Sequence, residues 1–164
     1  MNKKFILISV MSLLFNFFVF SEEINIQEEL LNYINKDLKS IATLEATAID
    51  AYSSVTGANF KDDKTMYDAM VQIVIPNYAL MNEKLEIISL SLKAKEVKAL
   101  NDIYVAAANI QNNAFNLILV GLEKGDTNIV LIANRKLDRA RRLLSEWKQE
   151  LYELCEQYGV TLNN

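Results

Sequence analysis

Apolar residues recur at alternating steps of three and four positions along most of the 164-residue chain, and this rhythm limits the folds open to it. Such a rhythm places side chains on one face of a helix, whereas a strand needs strict alternation. The clearest case lies near the carboxyl end, where nine positions share one seam: Val130, Ala133, Leu137, Ala140, Leu144, Trp147, Leu151, Leu154 and Tyr158. We therefore expect a long last helix that buries this stripe.

The same rhythm predicts three earlier helices with comparable seams. Their seam positions are Leu31, Ile34, Leu38, Ile41, Glu45, Ala48, Tyr52 and Val55 in the first, Val71, Val74, Tyr78, Met81, Leu85, Ile88 and Leu92 in the second, and Leu100, Ile103, Ala107, Ile110, Ala114, Leu117 and Gly121 in the third. Pro76 should bend the second helix, because its ring leaves the carbonyl of Gln72 without a donor. The seams together predict an all-α protein.

The connections between these helices are predicted to be short, since the chain has four glycines and one proline. Short connections make neighbouring helices antiparallel, so we expect an up-down-up-down four-helix bundle formed by residues 22–164 as a single domain. The boundary between the second and third helices, in the segment SLSLKAKEV, stays open because no glycine or proline marks it.

The first 21 residues are predicted to be a signal peptide. Lys3 and Lys4 precede an uncharged apolar run, Phe5 to Phe20, and the chain turns acidic at Glu22. We place cleavage after Ser21. The alternative is a retained membrane anchor, although the run is shorter than the roughly 18 to 20 residues of a spanning helix. The chain is thus expected to be exported, periplasmic or secreted, with no stable membrane insertion after cleavage.

Charge argues against a nucleic acid or an anionic membrane surface as the main partner. Without residues 1–21 the chain keeps 15 basic and 21 acidic residues, a net charge of −6. Nucleic acids and acidic membranes both bind basic surfaces.

The chain lacks residues that several kinds of catalytic and metal sites require. The chain has no histidine, which removes Ser-His and Cys-His nucleophile pairs, the di-iron motif of helical bundles and most zinc sites. No glycine-rich phosphate loop occurs. A lone cysteine, Cys155, cannot form an internal disulfide, and we expect a half-buried apolar residue there rather than an intermolecular disulfide. We predict that the protein is not an enzyme and uses neither a cofactor nor a metal.

All four arginines lie in the segment NRKLDRARRLL of the last helix. The seam of that helix turns Arg135, Arg139 and Arg142 away from the core, whereas Arg141 lies on its flank. A solvated face is the expected role. The alternative is a docking patch for phosphate or an acidic partner, formed by Arg135, Arg139 and Arg142.

Glu45 is a charged residue on an apolar seam, and it has two interpretations. In the first, alanines pack the helices closely and Glu45 lies at the rim, paired with Arg141 or Lys98. In the second, a mid-bundle cavity holds a small or lipid-like ligand. The polar groups of that cavity would be Glu45, Asn77, Tyr78 and Gln111.

These observations favour a non-enzymatic, exported helical protein of the cell envelope that acts as an interaction or structural module. Its expected partner is another envelope protein. The alternative function is a carrier of a small or lipid-like ligand in the cavity near Glu45. Nothing in the sequence indicates the oligomeric state.

Overall fold

The computed structural model describes residues 25–162, and among them it contains helices and no strand, as predicted. Four long helices are present. Their bounds, including one π-helical segment in each of the first two, are Ile26–Asn32, Tyr33–Leu38 (π) and Lys39–Ser53 for the first, Asp63–Ala69, Met70–Val74 (π) and Ile75–Ser91 for the second, Lys95–Lys124 for the third and Thr127–Gln157 for the fourth.

A short 3-10 turn, Gly57–Asn59, lies between the first two helices. The predicted signal peptide, residues 1–21, lies outside the described residues, so export stays a prediction. Within residues 25–162, every helix is too short or too polar to cross a membrane.

Three of the helices begin at a side-chain cap. A carboxylate or amide oxygen at each start accepts a hydrogen bond from a backbone N–H in the first turn, where such donors have no partner within the helix. The pairs are Asn25 with Glu28 at 3.2 Å, Asp62 with Thr65 at 2.7 Å and Asp126 with Asn128 at 2.9 Å. The local sequence therefore sets these starts.

The break between the second and third helices is fixed from a distance. The chain is extended at Leu92 and Ala94, with ψ angles of 132° and 127°. The Glu29 carboxylate of the first helix accepts hydrogen bonds from the backbone N–H groups of Lys93 at 2.5 Å and Ala94 at 2.7 Å. Glu29, 64 positions before Lys93, thus stabilises the helix break at a place where no glycine or proline interrupts the chain.

The amino-terminal seam positions of the first two helices were predicted wrongly by one residue. Leu31 is 38% exposed and Val71 is 41% exposed, whereas Leu30 and Met70 are fully buried. A π turn holds one residue more than an α turn, so each π-helical segment displaces the apolar positions at or before it by one. A regular three-four rhythm cannot account for that extra residue.

Pro76 lies two residues after the end of the second π-helical segment. The Ile75 N–H donates to the carbonyl of Met70, five residues back. Because the proline ring has no N–H and crowds the carbonyl of Gln72, a wider turn at this point relieves both problems. The distortion expected at Pro76 therefore takes the form of a π turn.

The third and fourth helices pack against each other along their length. Small residues of both seams are fully buried there, among them Ala107 and Ala114 of the third helix and Ala133 and Ala140 of the fourth. The seam predicted for the fourth helix is confirmed, since none of its nine positions is exposed.

Gly121 marks the tightest approach in this helix pair. A Cβ atom there would lie 2.7 Å from Val130 Cγ2 and 3.3 Å from the backbone oxygen of Asp126. Both distances are shorter than normal carbon contacts, so only glycine allows the two helices to approach this closely.

We predict that Gly121→Ala lowers the free energy of unfolding by about 1 to 2 kcal/mol through overpacking. Without the clash, the same substitution inside a helix would raise stability by roughly 0.5 to 1 kcal/mol. Urea unfolding measures the difference. In a Val130→Ala background the loss should shrink to less than about 0.5 kcal/mol, because the nearest atom is gone. A stabilising effect of Gly121→Ala in the wild-type background would contradict this packing.

Candidate functional site

Glu45 lies at the middle of the first helix, half-buried on its seam. Its carboxylate Oε2 accepts a hydrogen bond of 2.7 Å from the Tyr104 hydroxyl of the third helix. The expected ion pair with Arg141 or Lys98 is not formed, and Arg141 donates instead to Asp138 on its own helix. Within residues 25–162, no basic side chain forms an ion pair with Glu45.

The rings of Tyr104 and Trp147 lie beside this carboxylate. The Tyr104 ring stacks on the Trp147 ring, with 4.9 Å between the centroids and 24° between the planes. The Trp147 indole N–H donates to the Tyr33 hydroxyl at 3.4 Å. Contacts among Tyr33, Glu45, Tyr104 and Trp147 therefore connect the first, third and fourth helices.

Tyr78 brings the second helix into the same region. Its side chain is fully buried, its ring meets Phe115 edge-on at 4.8 Å, and its hydroxyl has no hydrogen-bond partner among the described residues. Burial raises the pKa of Tyr78, and the negative charge of Glu45 raises it further. A buried hydroxyl without a partner is unfavourable, so this position is set by packing rather than by hydrogen bonding.

Burial also raises the pKa values of Tyr33 and Tyr104. For Tyr104, the charge of Glu45 and the hydrogen bond to it act in the same direction as burial. For Tyr33, the hydrogen bond from Trp147 partly offsets the effect of burial. All three tyrosines are therefore neutral in the folded protein at neutral pH.

A pocket of about 360 Å³ opens beside Glu45, between the first, third and fourth helices. Its lining is mostly apolar, and Glu45 supplies the one acidic group in it. The lining residues are Leu38, Ala42, Glu45, Tyr104, Leu144, Trp147 and Lys148. We call this space the Glu45 pocket.

Of the four residues predicted to form a ligand cavity, Glu45 alone lines this pocket. Tyr78 and Gln111 are buried in the protein and do not line it. The Asn77 side-chain amide donates to the Ile73 carbonyl of its own helix at 2.7 Å. On the fourth helix, the residues that share this pocket with Glu45 are Leu144, Trp147 and Lys148.

Tyr104 and Trp147 were not predicted as site residues. Trp147 was placed on the seam of the last helix and regarded as core, although an indole carries a polar N–H that needs a partner. The position of Tyr104 beside Glu45 depends on how the helices pack, which no local pattern reveals. Asn101 was not predicted either; its side chain is fully buried, and its amide donates to the Ser89 hydroxyl at 2.6 Å.

A second pocket, of about 550 Å³, lies where the turn after the first helix meets the start of the fourth helix. Phe60 and Leu131 in its lining are 48% and 55% exposed. Asp63 is its one charged lining residue and is exposed to solvent. This pocket thus has no half-buried charge comparable to Glu45.

The predicted docking patch lies on the surface. Arg135, Arg139 and Arg142 are all exposed, as the seam of the last helix predicts. Asp138, on the same helix, pairs with Arg141. The three exposed guanidinium groups form a basic face on the fourth helix.

The second helix carries a row of exposed apolar side chains that the three-four spacing did not predict. Ile73 is 38% exposed, Leu80 45%, Ile87 61% and Leu90 88%. We call these four residues the outer stripe. They are spaced by seven, seven and three residues and so lie on one helical face, about 100° to 160° around the helix axis from the buried seam. The second helix therefore has two apolar faces.

Cys155 is a buried free thiol, and burial raises its pKa. Both effects make it less reactive than an exposed thiol. Within residues 25–162, no group of three or more cysteine or acidic side chains is arranged to hold a metal ion.

Comparison of the chain with protein-family models, with curated proteins and with solved structures finds no match.

Two tyrosine substitutions should have opposite outcomes. Tyr104→Phe removes the hydrogen bond to Glu45 and should lower the free energy of unfolding by about 1.5 kcal/mol. Tyr78→Phe removes a buried hydroxyl that has no partner, so stability should stay equal or rise by up to about 1 kcal/mol. Urea unfolding of both variants provides the comparison. A larger loss for Tyr78→Phe than for Tyr104→Phe would show that the hydroxyl of Tyr78 is bonded.

Stability should fall at alkaline pH. The three buried tyrosines have raised pKa values in the folded protein, whereas the unfolded chain titrates near the ordinary value of 10.0. Their contribution is complete below pH 10 and is lost as the pH rises from there towards the folded pKa values, at about 1.4 kcal/mol per pH unit for each tyrosine.

Urea unfolding between pH 8 and pH 11, with tyrosinate absorbance recorded in parallel, measures both quantities. Tyrosinate from the buried rings should appear together with unfolding. Complete ionisation of all seven tyrosines in a protein that is still folded would contradict the burial of these rings.

Proposed function

We propose that the chain is an exported, non-enzymatic helical protein of the cell envelope, and that its outer stripe binds a helix of another envelope protein. The observation that carries this proposal is the exposure of Ile87 and Leu90, at 61% and 88%. Large apolar side chains aligned and exposed on one helix are a common feature of interaction sites.

The spacing of the outer stripe supports a helical occupant. Ile73, Leu80, Ile87 and Leu90 occupy positions of an a/d seam, with Pro76 and Glu83 filling the intermediate steps. From Ile73 to Leu90 the stripe measures about 25 Å at 1.5 Å per residue. A partner helix of four to five turns would cover it along its length.

The acidic residues on and beside the outer stripe indicate the charge that the partner helix carries. Glu83 lies on the stripe between Leu80 and Ile87, and Glu86 lies beside it, both exposed. The protein is acidic as a whole, so complementarity favours a partner helix with basic residues at the level of Glu83. We therefore propose a basic amphipathic helix as the partner.

The proposed arrangement of the four helices is up-down-up-down. The short connections support it, and so do the hydrogen bonds of Glu29, which place the start of the first helix beside the second connection. Export rests on the character of residues 1–21, with cleavage after Ser21.

The partner proposal is tested by crosslinking in the envelope fraction with two matched triple variants. One carries Leu80→Gln, Ile87→Gln and Leu90→Gln on the outer stripe. The other carries Arg135→Gln, Arg139→Gln and Arg142→Gln on the basic face. All six positions are exposed, so each substitution should change the free energy of unfolding by no more than about 0.5 kcal/mol.

The wild type and the arginine variant should capture the same protein, crosslinked to the second helix through a basic amphipathic segment. The stripe variant should capture at least about tenfold less of that protein, because each apolar contact that it removes contributes roughly 1 kcal/mol to binding. Loss with the arginine variant alone would assign docking to the basic face instead. Sedimentation as a dimer that the stripe variant abolishes would show that a second copy occupies the stripe.

A second candidate function is that of a carrier for a small or lipid-like ligand. The observation that favours it is the pocket of about 360 Å³ with a half-buried carboxylate in its wall. Pockets of this size, mostly apolar and with few polar groups, commonly bind small molecules.

A further inference from the structure

We propose that the Glu45 pocket binds a small organic cation, an ammonium group with an apolar tail. The inference rests on the second candidate function and names the chemical class of its ligand. It follows from the charge of Glu45, the stacked rings beside it and the apolar remainder of the lining.

Glu45 is half-buried, its carboxylate accepts one hydrogen bond from the neutral Tyr104 hydroxyl, and among the described residues it has no ion pair. A negative charge that the protein leaves without an opposite charge, in partly desolvated surroundings, attracts a cation more strongly than an exposed carboxylate does.

The aromatic rings provide a second interaction that also attracts a cation. Tyr104 and Trp147 both line the pocket and stack on each other. The π face of tryptophan is the side-chain surface that attracts ammonium groups most strongly, through the ring quadrupole. An ammonium group beside Glu45 would thus meet a carboxylate and an aromatic surface together.

The remaining lining suits an apolar tail. Leu38, Ala42 and Leu144 supply hydrocarbon surface. Lys148 is the one basic residue in the lining, and its side chain is exposed. Its ammonium lies 5.8 Å from the centroid of the Tyr152 ring on the same helix and forms no ion pair with Glu45. Lys148 therefore does not neutralise the Glu45 carboxylate through an ion pair. Because its ammonium group could still attract an anion to the pocket, the experiment includes an anionic probe.

The experiment uses three probes with the same six-carbon tail: hexyltrimethylammonium, hexanol and hexanoate. Trp147 is the one tryptophan of the chain, so intrinsic fluorescence reports on the pocket directly. The purified protein is titrated at low salt. Glu45→Gln keeps the shape of the side chain and removes its charge, and Glu83→Gln makes the same change on the outer face of the second helix.

Hexyltrimethylammonium should bind about tenfold tighter than hexanol, and hexanoate should bind no tighter than hexanol. Glu45→Gln should remove that tenfold preference and leave the hexanol affinity unchanged, whereas Glu83→Gln should alter neither. The comparison among the three probes uses the wild-type protein, so it stands even where Glu45→Gln fails to fold.

Equal affinities of the wild type for hexyltrimethylammonium and hexanol would overturn the cation inference and still support a carrier function. A cation preference that Glu45→Gln leaves intact would also overturn it, because another group would then be responsible. No saturable fluorescence change with any of the three probes would overturn both the inference and the carrier function.

Discussion

The hydrogen bond between the Tyr104 hydroxyl and the Glu45 carboxylate is the interaction around which the centre of the protein is arranged. A carboxylate on an apolar seam is unfavourable unless polar groups or water remain in contact with it. Tyr104 supplies the polar contact, and the pocket between the first, third and fourth helices supplies the opening. The stacking of Tyr104 on Trp147, and the hydrogen bond from Trp147 to Tyr33, extend this contact across three helices.

The sequence predicted the features that depend on local spacing. The four helices and the buried seam of the last one follow from apolar periodicity, and the exposure of Arg135, Arg139 and Arg142 follows from that same seam. Leu31 and Val71 were misplaced because the π-helical segments at Tyr33–Leu38 and Met70–Val74 each add a residue that a three-four count does not include.

The features that the sequence did not predict depend on contacts between distant residues. The turn at Lys93 and Ala94 is held by Glu29 of the first helix. The partner of Glu45 is Tyr104, 59 positions away. Glu45 was singled out from the seam alone, whereas its surroundings depend on the packing of the third and fourth helices. That packing is set in turn by close approaches such as the one at Gly121.

The two proposed functions use separate parts of the molecule. The outer stripe lies on the second helix, whereas the Glu45 pocket is lined by the other three. A protein partner on the stripe and a small ligand in the pocket are therefore sterically compatible. The third helix contributes to the pocket through Tyr104 and contacts the second helix through Asn101 and Ser89, so the two regions share one packed element.

A double-mutant cycle on Glu45→Ala and Tyr104→Phe, each of which removes one partner of this hydrogen bond, tests the central contact most directly when it is measured by urea unfolding. A hydrogen bond to a charged group predicts a coupling energy of about 1.5 kcal/mol between the two positions. Additive effects of the two substitutions, within about 0.3 kcal/mol, would contradict the account.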